Sequence, residues 1–93
     1  MEEVQRVRMP RSGEVLGIVE SMLGANKLMV RCQDSKIRIC RIPGKMRKRI
    51  WIHENETVIV EPWSIQGDKR GDIVWRYTST ETGWLRRKNI LKI

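Results

Sequence analysis

The segment Lys36-Ile37-Arg38-Ile39-Cys40-Arg41-Ile42 alternates apolar and basic side chains with a period of two, and Pro43-Gly44 halts it. Successive side chains on an extended backbone point to opposite sides, so this period marks a strand with one buried and one exposed face. Strand-like segments recur along the chain. Glu14 to Leu23 is the first, and Gly17 inside it marks a bend or a close backbone approach. Lys27 to Gln33 follows the turn Gly24-Ala25-Asn26, Thr57 to Glu61 ends at Pro62, and Asp72 to Tyr77 follows a loop over 64–71. Val58 and Val60 are expected to point inward. Thr78-Ser79-Thr80-Glu81 has the spacing of a capping box, opening a short helix through Trp84, Leu85 and Arg86 that Gly83 weakens.

Five short strands, with a longer connection between the third and fourth, predict an all-β fold. The expected architecture is a five-stranded antiparallel Greek-key barrel of the OB type with a short C-terminal helix. An SH3-like barrel is the nearest competitor. At 93 residues the chain has room for one core. Residues 1–11 read as a flexible N-terminal tail, 12–78 as the barrel and 79–93 as a helical extension packed on it.

Centring a two-residue turn on Asp34-Ser35 sets Cys32 opposite Ile37, Arg31 opposite Arg38 and Met29 opposite Cys40. Leu28, Val30, Cys32, Ile37 and Ile39 then share the core face, whereas Cys40 is half-exposed. The two thiols fall on opposite faces, which excludes a disulfide. A metal site is not expected, since His53 is the only histidine and zinc needs more ligands. The same register opposes Arg31 and Arg38 on the outer face, where like charges repel unless they splay into solvent or meet phosphate. Trp75 is assigned to the core and Trp84 to the contact between helix and barrel.

Between Ser35 and His53 stand Lys36, Arg38, Arg41, Lys45, Arg47, Lys48 and Arg49 without one acidic residue. Lys45 to Arg49 is either an irregular loop or one helical turn, pinned to the barrel by Met46 and Ile50. A single-sign cluster of this density repels itself unless a polyanion cancels it. The whole chain agrees, with 19 Lys+Arg against 11 Asp+Glu and a net charge of +8. Its pI of about 10.2 belongs to the range of small nucleic-acid-binding domains. With four Trp, one Tyr and no Phe, stacking platforms are few. Trp51 and Trp63 flank the two loops, where they either stack on RNA or pack beneath the loops.

The runs Arg38 to Ile52, Val58-Ile59-Val60 and Gly71 to Tyr77 together resemble the S1-like OB domain of the translation initiation factor 1A family. The Gly44-Lys45-Met46-Arg47-Lys48 core is similar to the pattern of bacterial initiation factor 1. The long loop from Glu61 to Arg70 and the strand Ile73 to Tyr77 favour the archaeal and eukaryotic branch. The resemblance runs from about Val7 to Leu91. Asn55-Glu56 stands where the family often has Gly-Asp, and Asn tolerates the left-handed backbone of such a turn. The chain ends at Leu91-Lys92-Ile93 without the acidic tail of eukaryotic members, which points to an archaeal protein.

The resemblance implies a non-enzymatic factor that binds the small ribosomal subunit in the A site. It implies that the factor promotes subunit dissociation and stabilises initiator methionyl-tRNA, alongside other initiation factors. On this reading Lys45, Arg47, Lys48 and Arg49 contact phosphates of the decoding region. Arg31, Arg38 and Arg41 hold the flanking backbone, and Lys69 and Arg70 line the far wall of the groove or remain solvated. Such recognition reads RNA shape and phosphate placement more than base sequence. The alternative is a general single-stranded RNA binder or RNA chaperone of the cold-shock type, which needs more exposed aromatics.

No catalytic pair, nucleophile motif or phosphate-cradling glycine loop points to an enzyme, and no cofactor is implied. There is no apolar stretch of membrane-spanning length and no signal-peptide pattern, so a cytoplasmic monomer is expected.

Overall fold

The computed structural model describes residues 7–24, 26–47 and 52–93, with Arg47 described by its backbone alone. The strands are β1 (Val15–Met22), β2 (Lys27–Cys32), β3 (Ile37–Arg41), β4 (Thr57–Pro62) and β5 (Arg70–Arg76). A single turn of helix, α1 (Gly44–Arg47), follows β3, and α2 (Ser79–Arg87) follows β5. The strands close into a barrel in the order β1-β2-β3-β5-β4. All neighbours are antiparallel except β3 and β5, which run parallel. A closed ring with an odd number of strands cannot alternate direction throughout. One parallel seam is therefore required, and it falls where the chain returns across the barrel after β3.

The barrel interior is filled by Val19, Leu28, Val30, Cys32, Cys40, Ile42, Val58, Val60 and Ile73, with Met46 and Ile52 closing one end. Val58 and Val60 thus point inward as expected. A second apolar layer lies outside β1 and β4, where Leu16, Ile18, Ile59 and Tyr77 meet Leu85 of α2 and Leu91. β1 and β4 are thus covered on both faces, which explains why their apolar residues run almost unbroken. Trp84 packs against this layer. Gly17 sits where any Cβ would collide with the Val30 side chain and crowd the Arg31 carbonyl. Its bare backbone lets β1 curl onto β2.

At the start of α2, the Thr78 hydroxyl accepts from the Glu81 N–H at 3.2 Å. The Glu81 carboxylate accepts from the Thr78 N–H at 2.9 Å. The capping box is complete, and it aims Leu85 at the barrel wall. Asn55 has a φ of 71°, the left-handed backbone expected of that turn. Met1 to Arg6 of the segment expected as a tail lie outside the described residues. From Val7 onward the chain is held: Val7 packs on the second layer, the Tyr77 hydroxyl donates to the Arg8 carbonyl, and Arg8 pairs with Glu14 at 3.1 Å.

The β2–β3 register differs from expectation by one residue. Val30 pairs with Arg38, Leu28 with Cys40 and Arg31 with Ile37. Cys32 N–H donates to the Lys36 carbonyl at 2.8 Å and Ser35 N–H to the Cys32 carbonyl at 3.1 Å, so Gln33, Asp34 and Ser35 together form the turn. Ser35 takes a left-handed φ of 72°, the third residue of a three-residue hairpin loop. One residue of slip turns over every side chain of β3. Ile37 is therefore 54 % exposed and Ile39 half-buried on the outside, whereas Arg38 and Cys40 point inward. Trp75, expected in the core, is also on the outside, where the Arg8 guanidinium lies 5.7 Å from its ring centre.

Both cysteines are free and buried in the same interior. Burial pushes the Cys40 thiol up to about 12 and raises that of Cys32 as well. Neither is expected to react with a maleimide in the native protein, and both should label once denaturant opens the barrel. Fast native labelling of Cys40 alone would restore the two-residue turn.

Candidate nucleic-acid interface

The corrected register builds the outer face of β2 and β3 from Lys27, Met29 and Arg31 facing Arg41, Ile39 and Ile37. Across the parallel seam, Arg70 stands beside Ile39 and Asp72 beside Arg41. The result is a sheet face with a mixed apolar and basic surface, flanked by the β1–β2 turn and the β4–β5 loop. In OB barrels this face and these two connections bind oligonucleotides.

Arg31 is exposed and pairs with Glu20 of β1 at 3.0 Å. Arg41 is more exposed still, pairing with Asp72 at 3.1 Å and lying 5.7 Å from the centre of the Trp63 ring. Trp63 sits immediately after β4, its backbone tied to the Arg70 carbonyl, and its indole N–H donates to Asp72 at 2.9 Å. Lys27, Ile39, Arg41, Trp63 and Arg70 surround a cavity of about 60 Å³. Lys69 is exposed at the end of the β4–β5 loop, whose apex carries Ile65 at 76 % exposure. Trp63 is thus partly exposed on this face rather than covered by the loop.

Arg38 does not belong to this surface. Its side chain is 3 % exposed, with two nitrogens on the Asp34 carboxylate at 2.8 and 3.0 Å and the third donating to the Gly67 carbonyl. The expected phosphate contact at Arg38 is replaced by a buried tie between the β2–β3 turn and the β4–β5 loop. Hydrogen bonding to Arg38 lowers the Asp34 pKa, and bonding to Asp34 raises that of Arg38. The basic residue that alternation placed outside thus shapes the loop at the edge of the face.

Of the basic run after β3, Lys45 is exposed on α1 and Met46 is buried beneath it, as its spacing predicted. The Arg47 side chain and Lys48, Arg49, Ile50 and Trp51 lie outside the described residues. Met29 lies on the face as its alternation in β2 predicted, whereas Lys27 and Ile37 are on the face but were not foreseen as site residues. The available signal was the β2–β3 register: with a three-residue turn, Lys27 falls beside Arg41. Among the described residues, no group of three or more His, Cys, Asp or Glu could hold a metal ion, and no helix is long and apolar enough to cross a membrane.

A closed five-stranded barrel with this face and this short terminal helix is an OB-fold module of the S1-like kind. Residues 4–93 match the family model of translation initiation factor 1A / IF-1. The chain is 58 % identical over 92 residues to translation initiation factor 1A of Methanothermobacter thermautotrophicus, covering 99 % of this chain and 93 % of that one. It is 57 % identical to the protein of the same name from Archaeoglobus fulgidus, covering 98 % and 95 %. The Pyrococcus abyssi counterpart is 56 % identical, covering 94 % of this chain and 77 % of its own. In structure it is similar to translation initiation factor 1 from the Wolbachia endosymbiont of Brugia malayi. The TM-score is 0.55 at 32 % identity, covering 72 % of this chain and 79 % of that one. The chain belongs to the translation initiation factor 1A / IF-1 family, and these close relatives are archaeal.

Proposed function

We propose that this chain binds the RNA of the small ribosomal subunit in the A site, promotes subunit dissociation and stabilises initiator methionyl-tRNA binding in the neighbouring site of that subunit. It does so by occupancy and contact rather than by catalysis. The observation that carries the reading is a basic and apolar barrel face, with Lys45 exposed beyond it, in a chain of this family. Arg31, Arg41, Lys45, Arg47, Lys48, Arg49, Lys69 and Arg70 supply phosphate contacts in this proposal, and Trp51 and Trp63 supply stacking. Arg38 supports the face from within. Phosphate contacts of this kind set position and orientation, leaving sequence unread.

Footprinting of small-subunit RNA with and without the protein tests the proposal. Protection confined to the decoding region is expected. Protection scattered over single-stranded segments would favour the RNA-chaperone reading, in which exposed Trp63 and Trp75 stack bases without regard to site.

A further inference from the structure

An acidic residue at the edge of a basic face requires a reason. Asp72 is half-buried on β5, across the parallel seam from Arg41 and next to the cavity bounded by Lys27, Arg41, Trp63 and Arg70. Its two carboxylate oxygens are used separately. One accepts the Trp63 indole N–H at 2.9 Å, the other the Arg41 guanidinium at 3.1 Å, and Arg41 in turn lies against the Trp63 ring. Asp72 lies on β5, Arg41 on β3 and Trp63 directly after β4, so the unit ties together three neighbouring segments of the barrel wall.

We propose that Asp72 is a positioning residue of this face, locking Trp63 and Arg41 into one preformed unit that stacks an unpaired nucleotide of the bound RNA and meets its phosphate. A tryptophan outside a strand and a long arginine each lose rotamer freedom on binding. Fixing both in the free protein removes that cost beforehand. An indole presents a stacking face to any base, and a guanidinium offers both a stacking plane and a phosphate fork. The inference rests on the function proposed above and deepens it.

The sign of one substitution separates this role from its alternative. If Asp72 were merely a solvated carboxylate, removing its charge would raise the positive field and tighten binding to RNA. If it positions Trp63 and Arg41, Asp72→Ala weakens binding despite the gain of one positive charge. Affinity of the full chain for isolated small ribosomal subunits is measured at fixed salt, with folding followed by thermal melting. Asp72→Ala is expected to bind roughly tenfold more weakly, within the range of one stacked base. The same change made in a Trp63→Ala background should add little, because the group it positions is gone. Asp72→Asn, which keeps an acceptor for the indole and drops only the ion pair, guards against misfolding and should lose about threefold.

Equal or tighter binding by Asp72→Asn, or by a folded Asp72→Ala, overturns the inference alone. So does an Asp72 effect that is undiminished without Trp63. Absence of subunit binding by the unaltered chain overturns the proposed function, and this inference with it.

Discussion

Replacing Lys45, Arg47 and Lys48 together by alanine is expected to leave the barrel folded and to flatten the dependence of small-subunit affinity on salt. Each phosphate neutralised by a cationic side chain releases condensed counterions. Log affinity therefore falls with log salt concentration by about 0.7 to 0.9 per contact, and three lost contacts remove about two units of slope. The same change should lower affinity most at low salt, where the counterion term is largest. Among the described side chains of this turn, Met46 packs into the barrel end and Lys45 is exposed, so truncating Lys45 spares the core. Titration against isolated small subunits over a salt series gives the slope. A variant that melts normally and keeps the parental slope would show that the basic run makes no phosphate contacts, and the proposed mechanism would lose its physical basis.

The largest expected loss of stability is at Arg38. Arg38→Met keeps much of the buried stem and removes the guanidinium. The Gly67 carbonyl loses its donor and the Asp34 carboxylate its partner. Breaking a buried, charge-assisted network of this kind costs about 2–4 kcal/mol, and water solvating the exposed side of Asp34 places the loss towards the lower end. For a domain of this size that lowers Tm by roughly 10–20 °C. Thermal melting at neutral pH measures it.

The pH dependence follows from the same pair. Asp34 has its folded pKa depressed below the ordinary 3.8 by Arg38. The stability it contributes is thus fully present above the ordinary carboxylate range and is lost as pH falls through the depressed value. Glu14, depressed from 4.5 by its hydrogen bond with Arg8, acts in the same direction. Arg38→Met should therefore also show a shallower loss of Tm than the unaltered chain as pH falls below the ordinary carboxylate value of 3.8. An equally steep acid loss would mean that Asp34 draws its stabilisation from another partner. Loss of the tie to Gly67 should in addition free the β4–β5 loop, weakening RNA binding although Arg38 itself is buried.

Much of this protein was legible before any coordinates. The strands carry local signals, alternation in β2 and β3 and nearly unbroken Val- and Ile-rich runs in β1 and β4, and Gly24, Asn26 and Pro43 punctuate the connections between the first three. The capping box at Thr78 to Glu81 is satisfied entirely within one turn of chain, so it too is readable without tertiary context. Net charge and its concentration between Ser35 and His53 are properties of composition, and no packing can remove them. The motif order from Arg38 to Tyr77 identified the family because the spacing of basic run, loop and last strand survives whatever the details of packing.

Tertiary structure decided matters that depend on one residue of register or on the closure of a ring. Alternation says that neighbours in β3 face opposite ways but not which of them faces inward. That was settled by Ser35 adopting a left-handed backbone, which makes the turn three residues long. In consequence Arg38 is buried with Asp34 and Gly67, Cys40 joins the core, and Ile37 and Ile39 join the outer face. Hydrophobicity favours Ile inside and Arg outside, and it lost here. Cys40, Leu28 and Val30 already fill the interior, and a paired guanidinium at the barrel end fixes two loops at once. Likewise, the parallel seam between β3 and β5 is set only when an odd ring of strands closes. It is this seam that brings Asp72 beside Arg41, two residues far apart in the chain whose meeting no local pattern encodes.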